Sequence, residues 1–138
     1  MNYSRVLLGG LIAGLVLNIL GFAGMHLFFI DDFSQALQDR NISMSPTIVA
    51  FFEHLAMRFV AGIALLWLYA AMRPRFGPGP RCALLAGLVV WYLAYAHSAW
   101  VNGSIGFLPD RLLALTTAWG LLEVLLASLA GARLYREA

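Results

Sequence analysis

The chain has 138 residues, of which 62% are hydrophobic and only 12% are charged, and its formal net charge is +2. A water-soluble domain of this size needs a more polar surface, so the composition favours one membrane domain over residues 1–138. No basic stripe runs along the sequence, which argues against a nucleic-acid partner. The single cysteine, Cys82, excludes both an intrachain disulfide and a cysteine-based metal cluster within one chain.

Four apolar runs predict four transmembrane helices, at about 6–30, 47–72, 82–101 and 110–134. Each is long enough to cross about 30 Å of hydrocarbon at a rise of about 1.5 Å per residue. The polar stretch 31–47 predicts a short interfacial helix at about 33–40, with Asp32 as its N-cap. Pro46 suits the first position of the second helix, and the Pro- and Gly-rich segment after Met72 is expected to end it. The sequence therefore predicts an all-α, four-helix transmembrane bundle made of two helical hairpins.

The arginines predict how this bundle lies in the membrane. Because basic loop residues stay on the cytoplasmic side, an excess of arginine marks the cytoplasmic loops. Arg40 and Arg111 fall on one side together with four aspartates, and six arginines fall on the other. Both termini are therefore expected in the cytoplasm of a multi-pass inner-membrane protein. The six are Arg5, Arg73, Arg75, Arg81, Arg133 and Arg136.

Small residues at four-residue spacing predict where the helices pack against each other. Such a spacing places two small side chains on one helix face and lets a second helix approach closely. Gly10 and Gly14 form one such pair, Ala83 and Gly87 a second, and Ala127 and Gly131 a third, while a single glycine marks the second helix. The predicted packing residues are Gly10, Gly14, Gly62, Gly87, Ala127 and Gly131.

A polar layer is predicted inside the bundle. Counting helix rise from the cytoplasmic arginines places Asn18, Arg58, His97 and Glu123 at intermediate depths. Arg58 keeps its proton in hydrocarbon and needs an acceptor, and Glu123 is the only carboxylate near its depth. We therefore predict an Arg58–Glu123 ion pair, with Asn18 or His97 completing its hydrogen bonds. In the alternative, Arg58 extends outward to Glu53 and Glu123 is protonated.

A second group, His26, Glu53, His54 and His97, falls near the outer membrane interface. Three helices contribute these residues at similar heights, so they form a candidate site for a divalent metal ion or a haem. Their spacing matches no known ligand motif. The simpler interpretation is that these histidines cap helix ends and bond to loop carbonyls.

Three sequence patterns resemble a family of uncharacterised small four-helix bacterial integral membrane proteins. They are R-V-L-L-G-G-L-x-A-G at 5–14, W-L-Y-A-A-x-R-P-R-F-G-P-G-P at 67–80, and W-G-L-x-E-V at 119–124 followed by L-A-G-x-x-L-Y-R at 129–136. The resemblance implies four membrane helices and a bacterial inner-membrane location, and it implies no activity or site residues.

Three functions are compatible with these features, and the least demanding is a non-enzymatic structural or interaction role. In it the chain forms an oligomer, or joins a larger membrane complex, through the Gly10/Gly14 or Ala127/Gly131 faces. The first alternative is a small transporter or channel lined by Asn18, Arg58, His97 and Glu123. The second is a haem or metal protein that uses the outer histidines. The sequence specifies no cofactor, and the lipid bilayer is the one partner that it implies directly.

Overall fold

The computed structural model describes residues 2–43 and 47–135, and all of the regular structure in these two ranges is helical. The all-α prediction is confirmed for this part of the chain. The helices are α1 (Tyr3–Gly24), α2 (Ile30–Gln38), α3 (Ile48–Phe76), α4 (Pro80–Trp91), α5 (His97–Ser104) and α6 (Asp110–Leu134), with π-helical turns at Met25–Phe29 and Tyr92–Ala96.

Four helical stretches are long and apolar enough to cross a membrane: Tyr3–Gln38, Ile48–Phe76, Pro80–Ser104 and Asp110–Leu134. In each stretch, only between 22% and 33% of an apolar 18-residue segment is buried inside the molecule. Most of this apolar surface therefore faces outward, where hydrocarbon rather than water would suit it.

The first membrane helix is longer than the sequence predicts. The chain continues from α1 through the π-helical turn into α2 without a break, so the expected separate helix at 33–40 is instead the end of a 36-residue helical stretch. Asp32 lies inside α2 and does not cap it. The reason is local, because no proline or glycine lies between Met25 and Ser43 to interrupt the helix. The stretch ends near Asn41, which has φ +56°, and the Ile42 N–H bonds to the Leu37 carbonyl.

The second membrane helix, α3, also extends beyond its predicted end. Thr47 caps its start by accepting a hydrogen bond from the Ala50 N–H at 3.1 Å, and Pro46 lies outside the described residues. The helix continues past Met72 and includes Pro74 in its last turn, and it ends at Gly77, which has φ +77°. The third stretch begins with Pro80 at the first helical position and continues to Ser104, three residues beyond the predicted end.

The four stretches pack as a ring in which α3 and α6 also contact each other. Helix α1 packs against α3 and α6, and α4 packs against α3 and α6. The main core lies among them, where several side chains are completely buried. At one end of the ring the Asn2 N–H bonds to the Tyr135 hydroxyl at 3.2 Å, and the Gly79 N–H lies 3.4 Å from the Tyr69 hydroxyl. We call this the closed end.

The small residues serve packing inside this one chain. A Cβ at Gly10 would lie 2.5 Å from the Ile63 Cα atom, and a Cβ at Gly62 would overlap the backbone of Gly14. Gly131 has the same relation to α1, because its Cβ would lie 2.7 Å from the Gly9 carbonyl oxygen. Gly87 and Ala127 face the α4–α6 contact and the main core, respectively. These faces are therefore occupied within the chain, and association between copies has to use other surfaces.

Candidate functional site

The predicted ion pair between Arg58 and Glu123 is present. Arg58 Nη1 lies 3.3 Å from Glu123 Oε2 and joins α3 to α6. The Glu123 side chain is 2% exposed and that of Arg58 is 21% exposed. Because Glu123 is buried and Arg58 is mostly buried, each charge depends on the other, since either one alone would be costly to bury.

Three further groups complete the network around this pair. Arg58 Nη1 also donates to the Leu17 carbonyl of α1, and Arg58 Nε donates to His54 Nε2 at 3.0 Å. The Tyr95 hydroxyl, from the second π-helical turn, donates to Glu123 Oε2 at 2.7 Å. The polar network therefore ties together every membrane stretch of the ring.

Glycines allow these polar side chains to reach their partners. A Cβ at Gly21 would overlap the Arg58 guanidinium, and a Cβ at Gly120 would overlap the Tyr95 ring. Gly24 makes room in the same way for the Trp119 indole, which donates to the Leu20 carbonyl at 3.1 Å. These three glycines define the site as much as the ionised groups do, because only a residue without a side chain admits such close approach.

Asn18 and His97, which the sequence places in the same layer, do not contact the ion pair. The Asn18 amide donates to the Gly14 carbonyl at 2.9 Å and lies 3.4 Å from the Leu55 carbonyl, so it links α1 to α3 instead. His97 is exposed, and its ring stacks near that of Trp100 at a centroid distance of 6.4 Å. The prediction that either one completes the ion pair is wrong, and the role belongs to Tyr95, His54 and the Leu17 carbonyl.

The outer histidines are not grouped into a metal site. Within residues 2–43 and 47–135, no three His, Cys, Asp or Glu side chains are close enough together to hold an ion. His26 packs against Phe22 with ring centroids 4.1 Å apart, whereas His54 bonds to Arg58. Glu53 and His97 are exposed, and neither bonds to Arg58 or Glu123 within the described residues. The structure therefore does not bring His26, Glu53, His54 and His97 together as a metal site.

Comparison of the chain with protein-family models, with curated proteins and with solved structures finds no match. The class of the protein therefore rests on its own fold. It is a helical protein with four stretches able to span a membrane and a buried Arg–Glu–Tyr network among them.

Proposed function

We propose that this chain is a non-enzymatic protein of the bacterial inner membrane that acts through association with a second copy of itself or with a larger membrane complex. The observation that supports this proposal is the first part of α3. Every residue from Ile48 to His54 is exposed, so these two helical turns have no buried face against another helix of the described chain.

The exposed turns are suited to a protein partner. Helices that face lipid alone keep one face against their own bundle, as α3 does further along, where Leu65 and Leu66 are completely buried. At its start α3 instead projects Phe51 and Phe52 outward, and Glu53 and His54 lie beside them. An exposed carboxyl and an exposed imidazole near the membrane interface can both hydrogen-bond to a partner protein.

The finer arrangement that we propose is based on the arginine distribution. Both termini and the Arg73–Arg81 segment face the cytoplasm, and the stretches form two helical hairpins. The hydrogen bond from Asn2 to Tyr135 supports this arrangement, because it joins the two ends of the described chain at one end of the bundle. The lipid bilayer surrounds the remaining apolar surface.

A transporter is less well supported by the interior of the bundle. Toward the closed end from the Arg58–Glu123 pair, the core is filled by apolar side chains such as Leu65, Leu66 and Val124, each no more than 2% exposed. These side chains leave no polar path that connects the ion pair with the closed end through the described residues. The tightly packed half of the molecule thus favours an interaction role over a conducting one.

Cysteine crosslinking in native membranes tests the proposed association. Cys82 is buried, so a Phe51→Cys variant carries one reactive thiol at the start of α3. We expect oxidation to yield a disulfide-linked dimer, or a crosslink of one defined mass to another membrane protein. The matched control is Ile19→Cys, at a 58% exposed position on α1, which should stay monomeric. If Phe51→Cys stays monomeric at native expression levels, or if both variants crosslink equally, the proposal is wrong.

A further inference from the structure

We propose that the open half of the bundle is a binding site for a neutral apolar molecule that bears carbonyl oxygens, of the quinone class. The site lies between α3 and α5 and ends at the Arg58–Glu123–Tyr95 network. It shares His54 with the outward-facing turns that we propose for association, but the crosslinking test uses Phe51 and the binding test uses a small molecule, so the two proposals can fail separately.

The cleft is evident from how burial changes along one face of α3. Positions 54, 58, 65 and 69 share that face at helical spacing. Tyr69 is 3% exposed and Leu65 is completely buried, whereas the Arg58 side chain is 21% exposed and His54 is exposed. Because the same face is covered at the closed end and uncovered at His54, the bundle opens toward the start of α3.

The other wall of the cleft is formed by the third membrane stretch. Helix α4 packs closely against α3, but neither the second π-helical turn nor α5 makes a comparable approach to it. Burial decreases along this stretch in the same direction. Ala83 and Ala86 of α4 are completely buried, whereas no residue of Tyr92–Ser104 is buried. Tyr95 lies on this wall at the level of Arg58 and contacts Glu123 at the bottom of the cleft.

Some hydrogen-bond donors of the network beside the cleft are left unused, although the Arg58 guanidinium itself lies against Gly21 of α1. A guanidinium carries five N–H bonds. Nε and Nη1 of Arg58 bond to His54, Leu17 and Glu123, whereas Nη2 has no acceptor among the described residues. His54 accepts at Nε2, so neutral His54 carries its proton on Nδ1, which bonds to no described residue either. Glu123 Oε1 is a further free acceptor within this part of the chain, since the bonds from Arg58 and Tyr95 both go to Oε2.

The charge and depth of the site select the class of ligand. Arg58 and Glu123 neutralise each other, so a charged head group would enter an uncharged, water-poor site at high cost. Arg58 lies about 16 Å along α3 from Thr47, near the middle of a hydrocarbon core of about 30 Å and far from lipid phosphates. A neutral carbonyl oxygen can accept from Arg58 Nη2 and His54 Nδ1, and an apolar ring and tail would fit between the helices.

Calorimetric titration of the purified protein in micelles with a decyl-chain benzoquinone tests this inference. Decylbenzene, which has the same tail and no oxygen, is the matched control compound. We expect saturable binding of the quinone and none of decylbenzene. The His54→Phe variant keeps an aromatic ring but loses one donor, and it should bind about threefold to tenfold more weakly. His26→Phe, at another histidine outside the network, should bind like the wild type.

A second variant removes the Arg58 donors without leaving a buried charge. Arg58→Leu combined with Glu123→Leu deletes the ion pair as a unit, and we expect it to bind the quinone more than tenfold more weakly while circular dichroism shows intact helices. Two results would overturn the inference. The first is that the wild-type protein binds the quinone no more tightly than it binds decylbenzene, which is expected if only water occupies the site. The other is equal quinone binding by the wild type, His54→Phe and the folded double variant.

Discussion

Arg58 joins three helices through one planar side chain. It bonds to a carbonyl of α1, to its own helix through His54 and to α6 through Glu123. Arginine suits this position better than lysine would, because its donors point in several fixed directions and it retains its charge in an apolar environment. The residue therefore acts as a structural centre of the bundle and supplies the donors of the proposed ligand site.

Loss of either charge should destabilise the protein more than loss of both. We expect Arg58→Leu or Glu123→Leu alone to lower the free energy of unfolding by about 3–5 kcal/mol, because each leaves an unpaired buried charge. The double variant should recover most of this loss. Reversible unfolding in mixed detergent micelles measures all three variants, and strictly additive losses would show that the two side chains are not coupled.

The ion pair could be predicted from the sequence, but its surroundings could not. Arg58 must stay charged, and Glu123 is the only carboxylate near its depth, so chemistry alone pairs them. Depth along a helix does not fix the direction in which a side chain points. The π-helical turn at Tyr92–Ala96 adds a residue and rotates the next part of the helix by about 100°. Consequently Tyr95 reaches Glu123 and His97 does not, and no sequence pattern marks such a turn.

At the scale of elements, the contact between α1 and α3 depends on glycine. Gly10, Gly14 and Gly62 interleave so closely that backbone meets backbone. The sequence identifies these residues by their spacing, but it does not show whether the partner helix belongs to the same chain.

The sequence underestimates the lengths of the first two membrane helices. Polar residues and Pro74 predict helix ends at places where local hydrogen bonding allows the helix to continue.

Adding a methyl group at this contact should separate the two helices. In Gly62→Ala the new Cβ would meet the backbone of α1, and the Gly10 carbonyl oxygen would lie 2.5 Å away. We expect a loss of about 1–3 kcal/mol in the free energy of unfolding. Gly87→Ala is the matched control, because its nearest neighbour is the Leu125 Cδ2 atom at 3.2 Å, which can move. Thermal unfolding in detergent compares them, and equal melting temperatures would contradict the predicted importance of the α1–α3 contact.

At the scale of the whole molecule, arginine side chains contact aromatic rings at both ends of the bundle. At the closed end Arg73 lies over the Tyr135 ring at 4.9 Å and over the Tyr69 ring at 5.9 Å. At the other end Arg40 bonds to the Gly106 carbonyl and lies 5.9 Å from the Phe107 ring centroid. More arginines lie near the closed end, which is the basis of our proposal that this end faces the cytoplasm.

Reporter fusions test this orientation. Alkaline phosphatase is active only outside the cytoplasm, so its fusion after Asn41 should be active and its fusion after Leu134 inactive. A fluorescent protein that folds only in the cytoplasm should give the opposite pattern at the same two positions. Phosphatase activity after Leu134 alone would reverse the proposed topology, and activity at both positions would contradict an odd number of membrane crossings between them.

The taper of burial along α3 gives the molecule one rigid pole and one compliant pole. Leu65 and Ala83 are completely buried, so we expect the backbone around them to open only when the entire protein unfolds. The opposite pole can splay or close at much lower cost, because few contacts cross between α3 and α5 there. Anything seated between those two helices would therefore act as a clasp, firming the loose pole while the rigid pole stays unchanged.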